Sequence, residues 1–310
     1  MISTSGFANE SINTQSNSDT LYYQEHALIL DIAQTSDRII AVGEHGLILY
    51  SNNMAESWLL AVSSTDVLLT SVFFLNQNKG WITGHHGTIL YTNDGGLNWH
   101  IQHANLKSDP LFDILFINEK QGIAIGAYGS YLTTNDGGEN WRRSKIIDDD
   151  FHLYAITSTI DNTFYIAGES GILLKSVDFN TWQKMTIPYE GTLLTLISGK
   201  NAASGKKHIT AAGLRGNIIQ STNDGLNWKL ISSETIAPLQ GGTSLKNGKL
   251  IFGGSGGSLV VSNSPNEKFH RIFFPINYSI SKIIQISDTD LLISGSFGLR
   301  KTHINISIFN

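Results

Sequence analysis

The chain has 310 residues, a formal net charge of −5 and six scattered arginines, so no basic stripe of the kind that binds nucleic acid is present. Cysteine is absent, which excludes disulfides and thiolate metal sites. The longest apolar run, LLTSVFFL at 68–75, is much shorter than the ~20 residues of a membrane-spanning helix, and we expect no transmembrane segment.

The first twenty residues, MISTSGFANESINTQSNSDT, are polar. Gly6 and Ala8 stand at the −3 and −1 positions of a small-residue cleavage motif. We expect residues 1–20 to form a disordered tail that is the remnant of a signal peptide. The protein would then be periplasmic or otherwise exported, and a cytoplasmic protein with an ordinary disordered tail is the alternative. Residues 21–310 are expected to form one folded body.

A Gly-x-x-Gly pattern recurs seven times at steps of 41 to 45 residues. Its first glycines are Gly43, Gly84, Gly126, Gly168, Gly213, Gly254 and Gly295. In the second copy, segments 68–75, 80–84, 88–93 and 99–102 have the pattern of four short strands. A four-strand unit at this period is typical of a β-propeller blade. We therefore predict an all-β, seven-bladed propeller of four-stranded blades.

The seventh copy ends where its outer strand should begin. At the other end of the chain, LYYQ at 21–24 stands where an outer strand would precede the first inner strand. We predict that Leu21–Gln24 supplies the missing strand of the last blade and so closes the ring.

A box follows each of the first six turns, clearest in TNDGGLNWH at 92–100 and TTNDGGENW at 133–141. A catalytic group needs to occur once, whereas a structural unit recurs at the period of the fold. We expect the acid to accept turn N–H groups, the glycines to take positive φ and the tryptophan to pack over the hairpin. This structural role is assigned to Asp94, Trp99, Asp136, Trp141, Asp178, Trp182, Asp224 and Trp228.

The direction of the chain places the Gly-x-x-Gly turns and the links between blades on one face, and the boxes on the other. The turns then present a ring of side chains suited to contact with a partner. The candidate partner-binding residues are Glu44, His45, His85, His86, Tyr128, Glu169, Arg215 and Phe297. Three histidines and a glutamate here have the chemistry to bind zinc, but solvated turn residues explain them better, and we expect no metal and no cofactor.

One residue of each inner strand should face the central channel. The predicted set is Asp31, Ser71, Asp113, Ala155, Thr195, Gly242 and Lys282. Asp31 and Asp113 are its two acids, and a glycosidase needs two carboxylates across a cleft. Polar residues that line a channel or bond the next blade are the commoner case, so we expect no catalytic residues.

The box is similar to the Asp-box, or bacterial neuraminidase repeat, which also occurs in sialidases and xyloglucanases. No arginine triad of the sialidase type is recognisable, because Arg38 lies in a turn and outside the motif Phe/Tyr-Arg-Ile-Pro. The longer units at 69–99 and 111–141 resemble the repeat of the photosystem II stability and assembly factor family, and the resemblance spans residues 21–303.

This resemblance implies a non-enzymatic scaffold or assembly factor for a membrane protein complex. Photosynthetic members carry an arginine-rich face, which this chain lacks, so a non-photosynthetic bacterial branch is expected. The expected partner is a membrane protein, with no nucleic acid, and the chain is expected to be a monomer. The alternative is a carbohydrate-active propeller that binds or hydrolyses a glycan in its central depression.

Overall fold

The computed structural model describes residues 20–200, 205 and 207–303. Its strands form seven separate antiparallel sheets, and within the described residues six of them have four strands and the last has three. Each sheet follows the chain from its innermost to its outermost strand. This is the predicted seven-bladed β-propeller. No helix in these ranges is long and apolar enough to span a membrane.

The strands are numbered in chain order. Blade 1 contains β1 (Ile29–Gln34), β2 (Ile39–Gly43), β3 (Ile48–Ser51) and β4 (Leu59–Leu60). Blade 2 contains β5 (Leu69–Phe74), β6 (Gly80–Gly84), β7 (Ile89–Thr92) and β8 (His100–His103). Blade 3 contains β9 (Leu111–Phe116), β10 (Gly122–Gly126), β11 (Tyr131–Thr134) and β12 (Arg142–Ser144). Blade 4 contains β13 (Leu153–Ser158), β14 (Phe164–Gly168), β15 (Leu173–Ser176) and β16 (Gln183–Lys184).

The remaining blades follow the same order. Blade 5 contains β17 (Leu193–Lys200), β18 (Lys207–Gly213), β19 (Ile218–Ser221) and β20 (Lys229–Ile231). Blade 6 contains β21 (Leu239–Ser244), β22 (Leu250–Gly254), β23 (Leu259–Ser262) and β24 (His270–Ile272). Blade 7 contains β25 (Ile280–Gln285), β26 (Asp290–Gly295) and β27 (Gly298–His303). Single 3-10 turns cover Glu44–Gly46, Ala127–Gly129, Leu214–Gly216 and Ser255–Gly257.

The closing strand predicted at Leu21–Gln24 is a helix instead, α1, over residues 20–26. A run of four residues is too short to separate the helical period from the strand period, so the prediction was wrong. The helix still meets the last blade, because the carbonyl oxygen of Gln24 lies 2.0 Å from where a Cβ on Gly298 would be. The predicted tail over 1–20 lies outside the described residues except for Thr20, which belongs to α1.

The hydrophobic core consists of seven clusters, one between each pair of neighbouring blades. The cluster that closes the ring packs Ile29 of blade 1 against Leu292 and Leu299 of blade 7. Outside this cluster, the Lys301 ammonium of β27 pairs with the Glu56 carboxylate of blade 1. The first and last blades are therefore joined by the same kind of packing that joins every other pair.

The box of blade 2 is a hydrogen-bonded turn built on Asp94. Its Oδ1 accepts the backbone N–H groups of Leu97 and Asn98 at 3.0 and 3.1 Å and the Thr92 hydroxyl at 2.8 Å. Partial burial raises the pKa of Asp94, but the hydrogen bonds from Asn98, Thr92 and Leu97 outweigh it and lower the pKa to about 2. These hydrogen bonds all lie within the hairpin, so the Asp94 carboxylate stabilises the turn.

Equivalent turns occur in blades 3 and 4. Asp136 accepts the backbone N–H of Asn140 at 2.9 Å, and bonds from Asn140 and Thr134 lower the pKa of Asp136 to about 2. Asp178 accepts the N–H of Thr181 at 2.8 Å, and this contact lowers its pKa as well. These two acids have the geometry expected of structural turn formers.

In blade 5 the box position belongs to Asn223 and not to the predicted Asp224. The Oδ1 of Asn223 accepts the N–H of Asn227 and the hydroxyl of Ser221, both at 3.0 Å. Asp224 has φ of 56° and contributes its carbonyl, which accepts the Tyr165 hydroxyl at 2.9 Å. The acceptor of the box lies two residues after the serine or threonine that opens it. Counting two residues from Ser221 therefore identifies Asn223.

The box tryptophans pack into the clusters between blades, each against the preceding blade. Trp99 is 2% exposed, and its Nε1 donates to the carbonyl of Gly96 at 3.0 Å. Trp58 and Trp228 are also buried, whereas Trp141 and Trp182 are half-buried. The tryptophan position therefore contributes to the contact between blades.

We expect Trp99→Ala to lower the free energy of unfolding by about 3–5 kcal/mol, because it opens a cavity between blades 1 and 2. Trp141→Ala should cost less, since that ring is half-buried and its Nε1 has no hydrogen-bond partner. Urea unfolding of both variants measures the difference. An equal loss in the two variants would contradict the structural ranking.

Candidate functional site

The Gly-x-x-Gly turns hold exposed side chains in an unusual backbone conformation. The second residue between the glycines is left-handed in six turns. It is Gly256 (φ 62°) in blade 6 and a non-glycine residue in the other five: His45 (φ 52°), His86 (56°), Tyr128 (53°), Ser170 (51°) and Arg215 (56°). All five non-glycine residues are exposed. A left-handed conformation costs a non-glycine residue about 1 kcal/mol, so each turn keeps a side chain where glycine would be easier.

Backbone hydrogen bonds fix these turns to the links between blades. The N–H of Gly46 donates to the carbonyl of Val67 at 2.8 Å, and the N–H of Gly129 donates to that of Phe151 at 2.8 Å. A Cβ on Gly46 would lie 1.9 Å from the carbonyl oxygen of Thr65 in the same link. The second glycine is therefore required, and the side chains of the turn sit on a rigid base.

Glu44 and Glu169 use their carboxylates inside this base. Glu44 Oε1 accepts the backbone N–H of Leu28 at 2.9 Å, and Glu169 Oε2 accepts that of His152 at 2.8 Å. Both acids thereby hold the start of the inner strand of their own blade. Their part in contact with a partner stays a prediction, but each has this anchoring role in addition.

The histidine pair of blade 2 is divided between two environments. His86 is exposed, whereas His85 is half-buried and lines the central cavity. Burial, and then the neighbouring His86, lower the pKa of His85, so its ring is neutral at pH 7. Within the described residues no group of three or more metal-ligating side chains could hold a metal ion.

Phe297 does not belong to the exposed ring. It is 5% exposed and packs with Ile251, Leu259 and Ile293 in the cluster between blades 6 and 7. Its turn is shorter than the others, since β27 begins at Gly298, and Ser296 is its exposed residue. In this shorter turn the Phe297 ring points into the core. The prediction that Phe297 contacts a partner at the surface was therefore wrong.

The inner strands surround a central cavity of about 380 Å³ that opens on the face of the turns. Six of the seven predicted channel residues line it: Asp31, Ser71, Asp113, Ala155, Thr195 and Lys282. In blade 6 the lining residue is Gly241, because Gly241 pairs with Gly253 as Asp31 pairs with Val42. The predicted Gly242 is displaced by one residue.

A chain of polar contacts crosses this cavity. The Lys282 ammonium lies 2.8 Å from Asp31 Oδ1. The Ser71 hydroxyl lies 3.1 Å from Asp31 Oδ2 and 2.8 Å from Asp113 Oδ1. Burial, opposed by the bond from Ile156 and reinforced by the Asp31 charge, raises the pKa of Asp113 to about 6.

The two acids also bridge neighbouring blades. Every inner strand is the edge of its sheet, so part of its backbone faces the channel without a strand partner. Asp31 accepts the N–H of Val72 in blade 2 at 2.8 Å, and Asp113 accepts the N–H of Ile156 in blade 4 at 2.8 Å. All four carboxylate oxygens therefore have protein partners, an arrangement that favours a structural role.

Arg38, the arginine nearest in sequence to a sialidase motif, lies on the opposite face. Its guanidinium contacts the box of blade 2, where Nη1 donates to the carbonyl of Gly95 at 2.5 Å. It also lies 5.3 Å from the centre of the Tyr50 ring. The hydrogen bond from Arg38 to Gly95 joins blade 1 to blade 2.

The architecture and its boxes define an Asp-box β-propeller with a rigid ring of turns around a central cavity. A family model described as photosynthesis system II assembly factor YCF48 matches residues 96–286. The chain therefore belongs to the YCF48 family.

Solved structures share the fold over nearly the whole chain. A YCF48 bound to a D1 peptide is 18% identical with a TM-score of 0.71, and the match covers 91% of this chain and 94% of that one. YCF48 from Cyanidioschyzon merolae is 14% identical with a TM-score of 0.69, covering 90% and 96%. PorZ, a surface component of the type-IX secretion system of Porphyromonas gingivalis, is 14% identical with a TM-score of 0.62, covering 90% and 37%. No curated protein sequence matches.

Protonation of Asp113 should stabilise the fold at acidic pH. Its pKa is about 6 in the folded chain against an ordinary 3.8, so the stabilisation is complete below pH 3.8 and is lost as pH rises through 6. Asp113→Asn does not titrate. Urea unfolding across this range should therefore show the variant gaining stability relative to wild type as pH rises, whereas parallel pH profiles would contradict the raised pKa.

Proposed function

We propose that this protein is a non-enzymatic assembly or accessory factor that binds a membrane protein through the face of the Gly-x-x-Gly turns. The observation that carries the proposal is the set of five exposed side chains held in left-handed backbone on that face. The fold does not need these side chains, and each raises the energy of its turn. Contact with a partner would explain why these side chains are present in spite of this energetic cost.

Family membership supports a role in assembly. A YCF48 propeller has been solved with a D1 peptide bound, which supports a polypeptide as the ligand. The engaged carboxylates of Asp31 and Asp113 leave no free acid and base in the cavity, and this disfavours the glycan-hydrolysing alternative. We further propose that the protein acts as a monomer.

We also propose that the protein is exported and belongs to a non-photosynthetic bacterial branch of the family. The small-residue motif at Gly6 and Ala8 supports export. PorZ, which shares the fold, is a bacterial surface component. The scattered arginines support a client other than a photosystem.

Site-specific crosslinking from the two faces tests the docking face. A photoreactive p-benzoylphenylalanine replaces Tyr128 on the face of the turns, and in a matched variant it replaces Glu139, which is exposed in the box of blade 3. Each variant is mixed with solubilised native membranes and irradiated. We expect a discrete crosslinked membrane protein from position 128 that excess wild type removes. Crosslinking from position 139 alone, or from neither position, would overturn the proposal.

A further inference from the structure

Four aromatic rings run without a break from the exposed face into the central cavity, and we call them the aromatic strip: Tyr128, His152, Tyr154 and Phe112. The ring centroids of Tyr128 and His152 are 4.7 Å apart, and those of His152 and Tyr154 are 5.9 Å apart. Tyr154 stacks on Phe112 at 5.4 Å and 14°. Tyr128 is 56% exposed, whereas Tyr154 and Phe112 line the cavity.

The strip departs from the symmetry of the propeller. The position before the channel residue lines the cavity in all seven blades, and its occupants are Leu30, Thr70, Phe112, Tyr154, Leu194, Gln240 and Ser281. It is aromatic in blades 3 and 4, which are adjacent. Five blades fold with a smaller or more flexible side chain at this position, so the fold does not require aromatic rings here.

Hydrogen bonds hold two of the rings, those of His152 and Tyr154, in place. The backbone N–H of Tyr128 donates to Nδ1 of His152 at 3.0 Å. Glu169 accepts the backbone N–H of His152 at 2.8 Å and the hydroxyl of Tyr154 at 3.4 Å. A preformed aromatic surface binds with little loss of side-chain entropy.

Negative charge lies at both ends of the strip. The outer end adjoins the exposed run DDD at 148–150, and Asp149 and Asp150 line a groove together with Tyr128. The inner end adjoins Asp113. An aromatic face flanked by carboxylates attracts cations.

The nearby cations are mostly neutralised. Lys282 pairs with Asp31 at 2.8 Å, and Arg143 pairs with Asp109 at 2.9 Å. Among the described residues that line the groove beside Tyr128, Lys145 is the other lysine or arginine, and it is exposed. The balance around the strip therefore favours a basic ligand.

We propose that the aromatic strip binds a basic segment of the partner protein, with an arginine side chain against Tyr128 and the chain leading toward the cavity. This inference rests on the proposed function and names the chemistry of its ligand. A guanidinium stacks on aromatic rings and pairs with carboxylates at the same time. Charge complementarity and the aromatic surface select the same partner.

The test uses terminally blocked, fluorescein-labelled peptides. One peptide alternates arginine with serine, and a second has citrulline, the neutral isostere, in place of each arginine. Fluorescence anisotropy measures the affinity of the whole chain for each peptide. We expect the arginine peptide to bind about tenfold more tightly than the citrulline peptide, because the citrulline peptide lacks the cation–π contact and the charge attraction. Equal affinities, or no binding of the arginine peptide, would overturn the proposal.

Matched variants locate the binding. Tyr128→Ala should weaken the arginine peptide about tenfold, whereas Tyr128→Phe should keep most of its affinity. Glu139→Gln removes an exposed acid from the box of blade 3, on the opposite face, and should have no effect. Replacing the three aspartates of the run at 148–150 by asparagine should weaken binding and reduce its dependence on salt. An effect of Glu139→Gln equal to that of Tyr128→Ala would indicate diffuse charge attraction and would overturn the assignment.

The peptide experiment tests the basic ligand and the crosslinking experiment tests the docking face, so the two proposals can fail separately. Crosslinks from position 128, together with no preference for arginine over citrulline, would leave the docking face in place and remove the basic ligand. Binding that neutral glycans displace would overturn the basic ligand and favour the carbohydrate alternative. Absence of both crosslinks and peptide binding would remove the docking face and its ligand together.

Discussion

The mutual burial of blade faces is the interaction on which the rest of this structure depends. No blade has a core of its own, because each hydrophobic cluster lies between two blades. A strand edge or an apolar face left without its neighbour would be open to water, so the chain is stable only as a closed ring. This explains why the cluster of Ile29, Leu292 and Leu299 forms between the two ends of the chain. It also explains why the boxes recur, since each provides an aromatic ring for such a contact.

The two faces of the ring meet this constraint in different ways. On the box face, side chains form the hydrogen bonds that hold the turns, as Asp94 does with Thr92, Leu97 and Asn98. On the opposite face the turns are held by the backbone, through bonds such as that from Gly129 to Phe151. Apart from Glu44 and Glu169, whose carboxylates anchor the inner strands, the exposed side chains of those turns are therefore free to vary without loss of the fold. A surface that can change independently of stability is where recognition evolves most easily.

The period of the glycines was enough to predict the propeller, the number of blades and most of the channel residues. Single positions were harder, because one inserted or lost residue shifts every later register. Gly242 lies one residue from the lining position for this reason. The box of blade 5 has the same length as that of blade 2, and Asp224 was chosen by residue type although Asn223 occupies the acceptor position. Local pattern also failed at Leu21–Gln24, where four residues carry too little periodicity, and at Phe297, where the shorter turn of blade 7 directs the ring inward. Such contacts depend on the geometry of two blades and are invisible in one repeat.

A repeated sequence makes departures from the repeat informative. Asp31 and Asp113 depart from the smaller channel residues, and the structure accounts for both through their bonds to Val72 and Ile156 of the next blades. Phe112 and Tyr154 have no such account in the fold, because leucine, threonine, glutamine or serine serves at the same position in the other blades. The aromatic strip continues from these two rings to the exposed Tyr128. An asymmetry that the ring does not need, at the mouth of its cavity, is best explained by something that the ring binds.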